Sequence, residues 1–165
     1  MTTYTLAKNS GVVTDSGSYV PPDPRNADWQ AYQAWLSAGN TPQPAPAPSS
    51  AETAQATYAA ALAAGLVTTW STSTGLNGIY ALDQTTQFNM TAETVSILTN
   101  GSFTNGATTR NWPNAAGAFQ SFTLAQFKVL ASAIALYLDG LASALATASA
   151  GGAAGWPNAT VTISA

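Results

Sequence analysis

Residues 41–50 read TPQPAPAPSS, and no helix or central strand accepts prolines at that spacing. Each proline removes a backbone donor and fixes φ, so a regular ladder of hydrogen bonds cannot run through the segment. Alternating prolines favour extended polyproline II backbone, which acts as a semi-rigid spacer. The 165-residue chain therefore reads as a module over 1–40, a Pro-rich linker over 41–50 and a second module over 51–165. The other reading of the segment is an ordered arm packed along its own domain. Composition changes across it, from mixed and aromatic to rich in Ala, Thr, Ser, Gly and Asn.

The first module opens with Tyr4-Thr5-Leu6 and Gly11-Val12-Val13, then a Thr14-Asp15-Ser16-Gly17 turn cluster before Ser18-Tyr19-Val20. This pattern predicts a small β-hairpin. Pro21-Pro22 ends it, Asn26 caps a helix over 27–38, and Gly39 follows as its stop. Trp29, Tyr32, Trp35 and Leu36 recur at helical spacing on one face. A hairpin and a three-turn helix offer little cover for two tryptophans. These four residues are therefore expected to bind a partner, a second copy or the other module.

In the second module, Ser49 and Glu52 form a capping box that opens an Ala-rich helix to residue 64. Tyr58 and Leu62 mark its apolar side, and Gly65 closes it. Strands are predicted over 66–70 and 79–82 around a Gly-containing turn. Asp83 caps a helix to residue 99 with Phe88, Thr91, Val95 and Leu98 on one face. A second hairpin pairs 108–112 with 118–122, and Thr123 and Gln126 make another capping box. The longest helix then runs to residue 148. Phe127, Ile134, Leu138, Leu141 and Leu145 form a heptad seam along it, with Ala131 filling the gap. The seam either packs inside the domain or meets symmetry copies, most naturally as a trimer. Residues 160–163 are a terminal strand. The fold class expected is α+β: a small N-terminal hairpin plus helix, the linker, then helices with antiparallel hairpins and a long C-terminal helix.

Composition removes whole classes of chemistry. The chain has no histidine and no cysteine, which excludes disulfides, thiol nucleophiles, His-based triads and His/Cys metal sites. Only 7 % of residues are charged, with a net charge of −3, against an average near ~25 % charged residues. Lys8, Arg25, Arg110 and Lys128 are scattered, so no basic stripe exists to replace the counterions of a nucleic acid. The first ten residues lack an apolar core, so no signal peptide is read and synthesis in the cytoplasm is expected. Residues 129–145 are apolar enough to suggest a membrane span, but Asp139 and Gly140 lie in the middle. A central aspartate costs about 2.5–3.5 kcal/mol, so no membrane insertion is expected.

The carboxylates are Asp15, Asp23, Asp28, Glu52, Asp83, Glu93 and Asp139. A glycosidase would need two of them facing each other, with Glu52 and Asp83 or Glu93 as the combinations on paper. Glu52 and Asp83 sit at helix starts, where capping already accounts for them. Asp15, Ser16 and Ser18 could ligate calcium, but an Asx-type turn accounts for them better. No Gly-rich phosphate loop occurs. No catalytic residue, metal site or cofactor is therefore expected. The five tryptophans serve packing or a sugar-stacking surface, with packing the better reading. Trp112-Pro113-Asn114 and Trp156-Pro157-Asn158 repeat a tripeptide read as a strand-to-turn corner.

Two segments carry a resemblance. Residues 19–48 have an Asp-Pro-x-Asn start, an aromatic helix and a Gly-Asn-Thr-Pro stop. Residues 75–138 contain Gly78-x-Tyr80-x-Leu82-Asp83, Trp112-Pro113-Asn114, Gly117, Phe122-Thr123 and Ala125-Gln126-Phe127 ahead of an Ala-rich helix. Residues 19–48 resemble a segment that recurs near bacteriophage tail-fibre genes, and residues 75–138, in order and spacing, resemble an uncharacterised domain of bacteriophage tail-fibre and tail-associated proteins. The chain departs from that pattern at Phe119-Gln120, where some proteins of the type carry a histidine. The resemblance supplies no catalytic residues. It implies a virion component at the tail: a fibre, a fibre-attachment adaptor or a tail-tip protein. A capsid decoration or head-fibre protein and a tail-fibre assembly chaperone are the alternatives. The implied partners are other phage virion proteins and further copies of the chain, a trimer above all, with a host surface glycan as a further candidate.

Overall fold

The computed structural model describes residues 2–164, and the chain divides into two units, one ending at Pro48 and one beginning at Ser49. In the first unit, β1 (Tyr4–Leu6), β2 (Val12–Thr14) and β3 (Tyr19–Val20) form an antiparallel meander in that order. The expected two-stranded hairpin is thus a three-stranded sheet. Val12 sits opposite both Leu6 and Val20, which aligns the apolar side of all three strands. Helix α1 (Ala27–Ser37) follows, capped by the Asn26 side chain, which accepts from the backbone N–H of Asp28 and of Trp29.

The first part of the Pro-rich segment is an arm on this sheet. Leu6 N–H donates to the Gln43 carbonyl at 2.9 Å, and Gln43 N–H donates to the Tyr4 carbonyl at 2.8 Å. Gln43 pairs parallel to Thr5, and the prolines beyond it prevent the pairing from spreading. The reading that holds for this stretch is the ordered arm along its own domain.

The second unit opens with α2 (Ser50–Ala64), whose capping box joins Ser49 and Glu52 reciprocally. Gly65 then turns the chain into β4 (Leu66–Trp70) at φ 77°, and a Cβ there would lie 2.7 Å from the Tyr80 carbonyl oxygen. Only glycine suits both the backbone angle and the space. A 3-10 turn (Thr74–Leu76) leads to β5 (Gly78–Tyr80), antiparallel to β4. Helix α3 (Gln84–Asn100) and the hairpin β6 (Thr109–Pro113) with β7 (Phe119–Thr123) come next. Helix α4 (Leu124–Ser149) starts directly from β7 through the Thr123–Gln126 capping box. Strand β8 (Thr160–Ile163) closes the sheet as β5-β4-β8, parallel to β4. That parallel pairing departs from the antiparallel expectation. The class is α+β.

An aromatic knot holds the second unit. Phe122 meets Trp70 at 6.0 Å and Tyr80 at 5.9 Å, while Phe127 meets Phe103 at 5.3 Å, Trp112 at 5.0 Å and Phe122 at 6.2 Å. All five contacts are edge-to-face, the geometry that brings positive ring edges to negative ring faces. The two phenylalanines stand on β7 and on the first turn of α4, so the uninterrupted strand-to-helix junction fixes their spacing. The two Trp-Pro-Asn tripeptides end in turn-forming asparagines. Asn114 Oδ1 accepts from Ala116 N–H and Ala118 N–H after β6, and Asn158 Oδ1 accepts from Thr160 N–H entering β8.

Candidate functional site

The four aromatic-helix residues proposed for partner binding cover their own sheet first. Tyr32 is buried among Tyr4, Val12 and Val20, with Trp29, Trp35 and Leu36 half-buried around them. Tyr4 lies 5.0 Å from the Tyr32 ring and 5.1 Å from the Trp35 ring. All three segments join in one sheet where the sequence reading expected a hairpin, and the wider platform receives the helix.

The heptad seam on α4 is divided by the structure. Phe127, Ile134 and Leu141 are buried in the unit's own core, while Leu138 and Leu145 are half-buried at its margin. The buried stripe is Phe127, Leu130, Ile134, Tyr137, Leu141 and Ala144, stepping by three and four. Leu130, Tyr137 and Ala144 were missed because two alternate rows along an Ala- and Leu-rich helix score alike. A trimer built on Phe127, Ile134 and Leu141 would require the core to open.

Helix α3 turns its larger apolar residues outward. It buries Met90, Glu93 and Ile97, and leaves Phe88 73 %, Val95 53 % and Leu98 70 % exposed. Glu93 goes inward with Met90 and Ile97 because its charge is met inside the fold. Arg110 Nη1 lies 2.9 Å from Glu93 Oε1, the Thr104 hydroxyl donates to the same oxygen at 2.7 Å, and Thr104 N–H donates to Oε2 at 2.9 Å. A carboxylate so fully paired is tolerated in the interior.

The result is an apolar surface on two helices. Between α3 and α4 runs a groove of about 300 Å³, lined by Met90, Thr94 and Val95 on one side and Ala131, Ala135 and Leu138 on the other. Phe88 and Leu98 are exposed apolar residues along α3, and Leu136 of α4, 75 % exposed, stands apart from the residues that line the groove. The sequence places Phe88, Thr91, Val95 and Leu98 on one face, and in the structure all four are exposed.

A second hollow, of about 460 Å³, lies beside the Glu93–Arg110 pair and reaches Asn89, Asn111, Trp112 and Phe119. The carboxylates considered for catalysis all have local partners. Glu52 caps α2, Asp83 accepts from the Thr86 hydroxyl and backbone N–H, and Glu93 holds Thr104 and Arg110. The Thr86 bonds pull the Asp83 carboxyl below its ordinary range. At the Asp15 turn, Thr14 Oγ1 bonds Ser16 and Ser18, and no cluster of three potential metal ligands occurs among the described residues. Trp70 and Trp112 are interior, while Trp29, Trp35 and Trp156 are half-buried. Helix α4 is long and apolar enough to cross a membrane, with a mean hydropathy of 1.8 over its most apolar stretch. Compared with protein-family models, with curated proteins and with solved structures, the chain matches none.

Proposed function

We propose that this chain is a non-enzymatic structural protein of a bacteriophage particle, placed at the tail as a fibre, an adaptor or a tip component. It works by holding proteins in register through contact. The observation that carries the contact reading is the α3 side of the α3–α4 groove, where Phe88, Val95 and Leu98 stand exposed and the groove itself is apolar. Contiguous apolar area of this kind on a folded domain marks a place where another surface sits. Few charges compete with such contact, since only 7 % of the chain is charged. The placement at a phage tail is supported by the resemblance of residues 19–48 and 75–138. The occupied roles of Glu52, Asp83 and Glu93 support a structural part over a catalytic one.

Mass spectrometry of purified particles of the encoding phage tests the reading. The chain is expected in the finished particle and cross-linked to tail proteins. Its absence there, with association only to unassembled fibres, would identify an assembly chaperone and overturn the proposal. Cross-links to the major capsid protein alone would move it to the head. A form lacking residues 1–40 is expected to stay out of the particle, and its normal incorporation would remove the aromatic helix as the anchor.

A further inference from the structure

Residues 49–165 contain six charged side chains: Glu52, Asp83, Glu93, Arg110, Lys128 and Asp139. Four of them have tasks inside the unit, as helix caps or as the Glu93–Arg110 pair. The remaining two, Lys128 and Asp139, are both on α4, and they are the only charges in its 26 residues. Both are exposed, and neither forms an ion pair among the described residues. They are eleven residues apart, which is three helical turns and about 16 Å at 1.5 Å per residue. At that distance they do not meet each other, yet they lie on the same face.

That face is the one α4 does not give to its own core. Lys128, Ser132, Ala135, Asp139 and Ala142 step along it by four and three, all exposed, with Leu136 at its edge. The arrangement is self-complementary under a two-fold axis that reverses the helix. Pairing residues whose numbers sum to 267 puts Lys128 against Asp139, Ser132 against Ala135 and Ala125 against Ala142. The axis passes between Ser132 and Ala135, the two small side chains at the middle of the face, so the helices approach closely there. Both charge pairs form at once, and Leu136 of each copy falls on the same edge of the contact.

We propose that this face of α4 is a two-fold self-association surface, on which α4 of a second copy lies antiparallel with Lys128 of each copy against Asp139 of the other. The proposal rests on the contact reading above and names the partner for one part of that surface. A parallel arrangement would stack Lys128 on Lys128 and Asp139 on Asp139, so the charges select the direction. A closed pair leaves the α3 side of the groove open for a different protein.

Sedimentation equilibrium of the full chain over a dilution series provides the test, with charge reversals as the discriminating variants. The wild-type chain is expected to dimerise. Lys128→Glu and Asp139→Lys are each expected to weaken the dimer about tenfold or more, because each creates two like-charged contacts. The double variant Lys128→Glu/Asp139→Lys is expected to restore it to within about twofold of wild type. All these positions are exposed, so circular dichroism should give the wild-type helix content in every variant. A monomer at all concentrations would overturn the proposal. So would a dimer or trimer indifferent to the reversals, or flotation of the chain with phosphatidylcholine vesicles through α4. A monomer still found in purified particles would end the self-association proposal and leave the virion reading standing.

Discussion

Glu93 shows how one side chain sets the orientation of a helix. Its carboxylate is 3 % exposed and is held by Arg110 and Thr104. Replacing Arg110 with methionine keeps the aliphatic stem but leaves the buried charge with Thr104 alone. That change is expected to cost about 3 kcal/mol in urea unfolding, and a loss near zero would mean that water already screens the pair. Tyr80 makes a second prediction. Its hydroxyl donates to the Leu76 carbonyl and lies against the Gln120 side chain, and burial pushes its pKa up to about 12. The folded state keeps the proton over a range where the unfolded chain loses it. Stability is therefore fully present below pH 10 and falls as the pH rises toward about 12. Tyr137, also raised by burial, adds to the same loss. Melting at pH 9 and pH 11.5 should show the fall, and Tyr80→Phe should shrink it. Caps were legible at this scale because Asn26, Ser49, Asp83 and Thr123 bond backbone within three residues. The Glu93–Arg110 pair was not, since nothing local ties α3 to a strand seventeen residues away.

Helices α3 and α4 each offered two rows of apolar residues, and tertiary structure chose between them. On α3 the row of Phe88, Val95 and Leu98 is the larger, yet Met90 and Ile97 are buried because they flank the satisfied Glu93. On α4 the choice makes a sharp contrast testable. Phe127→Ala removes a ring that three others meet edge-on, and a loss of about 3–5 kcal/mol is expected. Leu136→Ala, at a residue 75 % exposed, should change monomer stability by no more than about 0.5 kcal/mol. Denaturant midpoints at a dilution where the chain is monomeric decide the matter, and comparable losses would reverse the assignment of faces. Strand β8 illustrates the opposite limit. Its Thr-Val-Thr-Ile run announced a strand, but nothing in four residues says that it would join β4 in parallel. That partner is set by α4, which carries the chain back across the sheet. Gly140 assists at close range: a Cβ there would lie 3.2 Å from Pro157 in the returning segment.

At the scale of the chain, the two units differ greatly in the core each can bury. The first relies on Tyr4, Val12, Val20 and Tyr32, with Trp29, Trp35 and Leu36 partly covering them. Among the described residues, the second buries sixteen apolar side chains in one cluster, from Leu66 on β4 to Ile163 on β8. The fraction of surface removed from water rises with chain length, so a unit of about 48 residues is marginal where one of about 117 is not. The prolines made the boundary legible, since only they break both helix and ladder. The choice between spacer and arm was not legible, because the bonds of Gln43 to Tyr4 and Leu6 join residues far apart in the chain. A fragment beginning at Ser49 is therefore expected to unfold cooperatively, at a midpoint close to that of the main transition of the whole chain. In the whole chain a smaller transition should come first, reported by Trp29 and Trp35. Replacing both with phenylalanine should remove that fluorescence change and leave the main one, carried by Trp70 and Trp112, in place. A fragment from Ser49 that melts without cooperativity would mean that the first unit is part of the second unit's stability, and the aromatic helix would then be a brace rather than a free anchor.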